Sequence, residues 1–207
     1  MSKYEVITFD CYGTLIDWEN GIRNAFQSAG VDGDEALRAY AKIEPQVEAG
    51  PYRSYRDVLT ETASRIAPGV DGSFLPDSLP SWKPFADTNA ALQRLRAAGI
   101  RLGILSNVDD DLIAETRKHF TVDFDLIVTA QQVKSYKPGH AHFLEARKRI
   151  GSARWLHAAQ SNFHDIVPAN ALGIATAWIN RHGESARPGG TPTLHFTNLT
   201  QLADAMV

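Results

Sequence analysis

Residues Val6-Ile7-Thr8-Phe9 form an apolar, β-branched run that stops on an acid, Asp10, with Gly13 just beyond it. Such a run reads as a buried strand. It delivers one carboxylate to its carboxyl end, which is where open α/β sheets hold their ligands. Gly13 lets the backbone turn sharply after the acid. An ordinary strand with Asp10 as a turn residue would carry the same letters, so the rest of the chain has to decide.

That remainder shows two patterns. Between the first strand, over residues 4–9, and Pro84 the periodicity is helical. It predicts helices over about 17–29, 35–47 and 55–66; Gly30 ends the first, Asp32 to Asp34 cap the second, and Gly50-Pro51 breaks it. Residues 68–85 hold Pro68, Gly69, Gly72, Pro76, Pro80 and Pro84 and read as irregular chain. After Pro84, strands over about 101–105, 124–128, 155–159, 174–179 and 193–196 are interleaved with helices over about 88–98, 109–120, 138–150, 165–172 and 198–206. Alternation of this kind predicts an α/β fold. Its core, residues 1–15 and 82–207, is a Rossmann-like, mainly parallel sheet with helices on both faces, and residues 16–81 are an inserted helical cap. Substrate would lie between cap and sheet.

Bulk properties narrow the partners. With 207 residues there is room for one core and a small second module. A net charge of -3 offers no basic field, which excludes nucleic acid and anionic membrane as expected partners. No apolar run approaches membrane-spanning length, and residues 1–5 show no signal-peptide pattern. Cys11 is the only cysteine, so no internal disulfide can form, which fits a reducing cytoplasm.

Four polar groups fall where strands end: Asp10, Ser106-Asn107, Lys137, and the run Ser161-Asn162-Phe163-His164-Asp165. Each has a plain explanation. Ser106-Asn107 and Asp165 can cap helices, and most lysines are solvated. A parallel sheet, however, brings all four to one rim. There Asp10 is a candidate nucleophile. Asp10 and Asp165 facing each other would raise one another's pKa unless a cation intervened, and Lys137 can be that cation. Ser106 and Asn107 can bond an anionic group, and the amides after Asp10 can form an anion nest. His164 and Cys11 read as packing residues, while Trp18 and Tyr12 suit either a pocket wall or the core.

The series Asp10-Cys11-Tyr12-Gly13-Thr14-Leu15, Ser106-Asn107, Tyr136-Lys137-Pro138 and Asp165 resembles the haloacid dehalogenase superfamily, whose four motifs occur in this order. Phosphatases of that superfamily carry a second aspartate where this chain has Tyr12, and a phenol is a poor proton donor to an alkoxide near neutral pH. Tyr12, Ser161-Asn162 and Ala177-Trp178-Ile179-Asn180-Arg181 resemble the L-2-haloacid dehalogenase (type II) branch. That resemblance implies a metal-independent, cofactor-free hydrolase acting on a small anionic substrate, and it suggests a homodimer. Asp10 would displace halide from C2 of a 2-haloacid, and water would hydrolyse the resulting ester to a 2-hydroxy acid. Asp165, Lys137, Asn162 and Ser161 would serve the water, Thr14 would steady the nucleophile loop, and Ser106 with Asn107 and the amides near Cys11 and Tyr12 would hold the substrate. The alternative is a magnesium-dependent phosphatase with Asp10 and Asp165 as ligands.

The chain also departs from that pattern. The family's early-cap arginine, which draws off halide, has no clear counterpart; Arg38, Lys42, Arg53 and Arg56 are the candidates. Phe143 stands where the dehalogenases have a tyrosine, Gln160 where they tend to have serine, and His164 where they have tryptophan.

Overall fold

The computed structural model describes residues 3–207; residues 1 and 2, at the start of the expected core segment 1–15, lie outside the described residues. Strand β1 (Val6–Phe9) is buried throughout, as its apolar run requires. Residues Val6 and Thr8 face one side of the sheet and Ile7 and Phe9 the other, by the two-residue period of a strand. The strands β2 (Arg101–Ser106), β3 (Leu126–Thr129), β4 (Trp155–Ala159), β5 (Ala175–Ile179) and β6 (Leu194–Phe196) complete one sheet. Its order is β3-β2-β1-β4-β5-β6, and every pairing is parallel. Phe9 pairs with Ile104 on one side and Ala158 on the other. The order reverses between β1 and β4, so the crevice for a ligand opens just past Asp10.

Four helices lie between β1 and Pro84: α1 (Trp18–Ser28), α2 (Gly33–Glu48), α3 (Tyr55–Ile66) and α4 (Phe74–Ser78). The Asp17, Asp32 and Ser54 side chains cap the first three. Gly21 leaves no room for a Cβ against the Trp82 ring, which ties α1 to the end of the insertion. The stretch 68–85, expected to be irregular, contains α4 and a 3₁₀ turn, Leu79–Ser81. Pro76 and Pro80 sit in their first turns, where a missing N–H costs nothing, and Leu75 and Leu79 are fully buried.

The remaining helices are α5 (Thr88–Ala97), α6 (Asp110–Thr116), α7 (Ala130–Val133), α8 (Ala141–Ile150), α9 (Val167–Ala171) and α10 (Leu199–Met206). One face of the sheet packs Ile7 and Phe9 with Leu92, Leu95 and Leu202, together with the inserted helices. The other packs Val6 with Phe143, Ala146 and Ala169. Short α7 was not expected, and the helix expected from residue 138 begins only at Ala141. The helix expected over 165–172 divides into a π turn, Asn162–Ile166, and α9.

Candidate active site

Asp10 directly follows β1. Its N–H still bonds to Ala158 O (3.1 Å), so the sheet fixes its backbone. The chain then turns through Gly13, at φ +97°, whose N–H bonds to Ile16 O (2.8 Å). Thr14 is buried and donates to Asp10 Oδ2 (3.0 Å), while its hydroxyl accepts from Gln160 N–H (2.9 Å). The loop after Asp10 is thereby stitched to the end of β4. The amides of Cys11 and Tyr12 donate to no carbonyl among the described residues.

Lys137 is 1% exposed, and its ammonium spends three bonds: Asp10 Oδ1 (2.9 Å), Asp165 Oδ1 (2.6 Å) and Leu105 O (2.9 Å). Asn107 clamps the lysine main chain from both sides, accepting from Lys137 N–H (2.7 Å) and donating to Lys137 O (3.0 Å). Burial works against the ammonium charge, but the two carboxylates outweigh it and hold the pKa above that of an ordinary lysine. Burial pushes the Asp10 carboxyl up, and Lys137 pulls against it. For Asp165 the balance is reversed: despite burial, Lys137 and His157 hold it well below the usual carboxylate range.

His157 was not singled out from the sequence, yet it completes the cluster. Register pairs Thr8 with His157 across β1 and β4, so both side chains lie on one face. Trp155 Nε1 donates to Thr8 Oγ1 (2.7 Å), which bonds His157 Nδ1 (2.8 Å), and His157 Nε2 lies 3.0 Å from Asp165 Oδ1. A neutral ring protonated on Nε2 satisfies the whole chain, and the pattern assigns that tautomer. The available signal was a histidine inside an otherwise apolar strand. Phe143, where the family pattern has tyrosine, is fully buried and sets its ring edge-on to His157 (5.1 Å).

The other expected residues divide into two groups. A cavity of about 300 Å³ between the strand ends and the inserted helices is lined by Asp10, Tyr12, Ser106, Asn107, Lys137, Ser161 and Asp165. Ser106 Oγ and Asp165 Oδ2 are buried there with no partner among the described residues. Ser161 accepts from His164 N–H (3.0 Å) and shapes the π turn that carries Asp165. Gln160 and His164 also line the cavity, and burial lowers the His164 pKa, favouring a neutral ring. Cys11 lies in the hydrophobic core. Asn162 is turned away from the cavity, bonding Gly190 O (2.8 Å) and Arg187 N–H (3.0 Å), so its side chain clamps the 187–190 loop.

None of the four basic candidates for a halide ligand lines the cavity. Arg38 and Lys42 are exposed. Arg53 pairs with Glu61 (2.6 Å), and Arg56 bridges Asp77 (2.8 Å) and Asp111 (2.9 Å). The inserted helices instead present Tyr40, Glu44, Glu48 and Tyr55 to the cavity. The spacing of Tyr40, Glu44 and Glu48 at i, i+4, i+8, the last one residue past the expected helix, was the signal for them.

The donor set does not fit magnesium. The Lys137 ammonium holds the facing oxygens of Asp10 and Asp165. Magnesium keeps several waters and takes one or two carboxylates as ligands, and here the carboxylate oxygens that would face it are already bonded to the ammonium. The Tyr12 hydroxyl is spent on Thr116 Oγ1 (2.7 Å), and burial drives its pKa far above a usable acid, so nothing beside Asp10 replaces a phosphatase's proton donor.

A family model described as haloacid dehalogenase-like hydrolase matches residues 4–160. The chain is 27% identical to (S)-2-haloacid dehalogenase from Pseudomonas putida, over 100% of this chain and 98% of that one. It is 29% identical to haloacetate dehalogenase H-2 from Moraxella sp. (strain B), over 88% of each. Among solved structures, an L-2-haloacid dehalogenase from Xanthobacter autotrophicus with chloropropionic acid covalently bound superposes with a TM-score of 0.83 at 17% identity, covering 97% of each chain. A dehalogenase with an intermediate complex superposes with a TM-score of 0.86 at 20% identity, over 100% of this chain and 98% of that one. At those identities the structural likeness speaks for the fold.

Proposed function

As the chain belongs to the haloacid dehalogenase-like hydrolases, we propose that it hydrolyses the carbon–halide bond of a small (S)-2-haloacid without a metal. The observation that carries this is the position of Lys137 Nζ, bonded at once to Asp10 and Asp165, with the Tyr12 hydroxyl, at the place of a phosphatase's acid, spent on Thr116. A halide leaves with its electron pair and needs no proton, whereas an alkoxide does.

In the first step a carboxylate oxygen of Asp10 attacks C2 from behind. The C2–halogen bond breaks, C2 inverts and an aspartyl ester forms. Lys137 keeps Asp10 ionised against its burial, and Thr14 and Lys137 between them fix the orientation of the carboxylate. Ser106 Oγ and the amides of Cys11 and Tyr12 bind the substrate carboxylate.

In the second step water adds to the ester carbonyl of Asp10. The bond from that carbon to the ester oxygen, the Asp10 oxygen that attacked C2, breaks. Water's oxygen restores the carboxylate, and the former Asp10 oxygen leaves as the hydroxyl of a 2-hydroxy acid. Asp165 Oδ2 is the buried acceptor that orients the water. Because Lys137 and His157 hold Asp165 so far down, it is a weak base and works chiefly by orientation and charge. One water proton reaches the leaving alkoxide and the other returns to solvent. Ser161 acts by shaping the Asp165 turn, and Asn162 by holding the loop behind it. Residues 16–81 act as the cap that closes the cavity over the substrate.

The proposal extends to a homodimer in the cytoplasm, on the family resemblance and the single, reduced Cys11. No helix among the described residues is long and apolar enough to cross a membrane. The direct test is chloride release from L-2-chloropropionate by EDTA-treated protein, abolished in Asp10→Asn. Magnesium-dependent phosphate release with no halide would overturn the reading.

A further inference from the structure

The proposed chemistry uses the sheet side of the cavity and gives the inserted-helix side no task. That side is built from acceptors. Glu44 and Glu48 stand one turn apart on α2, and both line the cavity. Pro45, between them, has no N–H to give to the Ala41 carbonyl, and both of these residues also line the cavity. The nearby phenol protons are already committed: Tyr55 OH donates to Glu44 Oε1 (3.2 Å), and Tyr40 OH bonds Tyr55 OH (3.0 Å).

No basic side chain of the described residues forms an ion pair with Glu44 or Glu48; the cap's Arg23, Arg53, Arg56 and Arg65 all pair elsewhere. Among the described residues Lys137 is the one lysine or arginine lining the cavity, and it is bonded to Asp10 and Asp165. Burial pushes Glu44 up to about 7 and Glu48, with Glu44 beside it and Lys137 pulling against it, up to about 8. Aromatic rings flank them: Trp18 and Tyr40, 5.6 Å apart, with Tyr55 and Trp82. Carboxylates within an aromatic wall are the chemistry that recognises an alkylammonium. At its sheet end the same cavity holds two buried polar atoms without a partner among the described residues, Ser106 Oγ and Asp165 Oδ2, which call for a polar ligand there.

We infer that Glu44 and Glu48, with Tyr40, Tyr55 and Trp18, bind the alkylammonium group of a zwitterionic substrate whose carboxylate is held at Ser106. This rests on the reading of Asp10 as the nucleophile toward a carboxylate-bearing substrate. The preferred substrate is then a 2-haloacid with a cationic tail, and the two glutamates set specificity for that tail.

The test has a binding arm and a turnover arm. Calorimetry compares 4-(trimethylammonio)butanoate with its neutral isostere 5,5-dimethylhexanoate, neither of which can be dehalogenated. Wild type should bind the cation about tenfold tighter or better. Glu44→Gln and Glu48→Gln should each erode that ratio, and the double variant should bring it to one or below. Turnover compares the 2-chloro derivatives of the same pair, with L-2-chloropropionate as the short control. Equal or tighter binding of the isostere, or a ratio unmoved by the Gln variants, overturns the inference. In the second case the glutamates serve as neutral hydrogen-bond donors, which glutamine mimics. Halide release from L-2-chloropropionate alongside a ratio of one sinks this inference and leaves the dehalogenase standing. A cation preference with no halide release from any substrate does the reverse.

Discussion

His157 Nε2 lies 3.0 Å from Asp165 Oδ1, the same oxygen that accepts from Lys137 Nζ at 2.6 Å. Two donors on one oxygen leave Asp165 Oδ2 as the face turned to the cavity. His157 is thus a positioning residue that acts through Asp165. His157→Phe keeps a ring in the strand and removes the bond. A buried hydrogen bond to a charged group contributes about 1.5–3 kcal/mol, and the variant should lose stability of that order in urea titration. Its kcat for L-2-chloropropionate should fall about tenfold while KM stays near wild type, because the water and not the substrate has lost its orienter. A rise in KM with kcat unchanged would place His157 in substrate binding instead.

Lys137 is the cation that lets two buried carboxylates coexist. Lys137→Met leaves Asp10 and Asp165 without it, a change that costs about 3–5 kcal/mol when one partner of a buried ion pair is removed. Asp10 protonates more readily as a result, so the acid limb of the kcat/KM profile moves to higher pH. Activity at neutral pH should fall about a hundredfold or more. Lys137→Arg should not rescue it, because a planar guanidinium does not fit the site of a point charge bonded to three oxygens.

Glu48 gives stability a sign that pH can read. Its folded pKa is raised from 4.5 to about 8. The stabilisation from its neutral form is therefore complete below about pH 4.5 and is lost as pH rises through 8. The groups facing it and its neighbour Glu44 are Tyr40, Tyr55, Tyr136 and Lys137. Glu48→Gln does not titrate, so its Tm should gain on wild type as pH goes from about 6 to 9. Each kcal/mol regained is worth about 2–4 °C in a chain of this size. A difference that shrinks with pH would mean that Glu48 is ionised and paired in the folded protein.

Gly190 packs so closely on Asn162 that a Cβ would overlap its side-chain amide. Gly190→Ala should push Asn162 off the 187–190 loop at a cost of about 1–3 kcal/mol. If Asn162 works only by holding that loop, kcat should follow the loss of folded protein and no further. A larger fall in kcat per folded molecule would give Asn162 a direct part in ester hydrolysis.

Much of the site was legible because a parallel sheet converts strand ends into neighbours. Asp10, Ser106, Lys137 and Asp165 each follow a strand or a turn readable from one stretch of sequence, and the all-parallel order brings them to one rim. The strand–helix alternation predicted every strand of the sheet, with bounds off by a few residues. His157 escaped because its partner Thr8 lies 149 positions away and only register joins them. The basic candidates of the cap failed because helix spacing says which residues share a face, and not which face meets the sheet. Helix α2 turned Tyr40, Glu44 and Glu48 inward and left Arg38 and Lys42 outside. Asn162 fits the motif by spacing, but the π turn rotates it toward the loop.

In the proposed mechanism Asp10 forms an ester and is regenerated by attack on its own carbonyl. Single turnover in heavy-oxygen water, with mass spectrometry of the peptide containing Asp10 and of the product, reads this directly. Label is expected in the Asp10 carboxylate and ordinary oxygen in the first 2-hydroxy acid formed. Label in the product with Asp10 unlabelled would mean that water displaces the halide itself, and the covalent mechanism would fail.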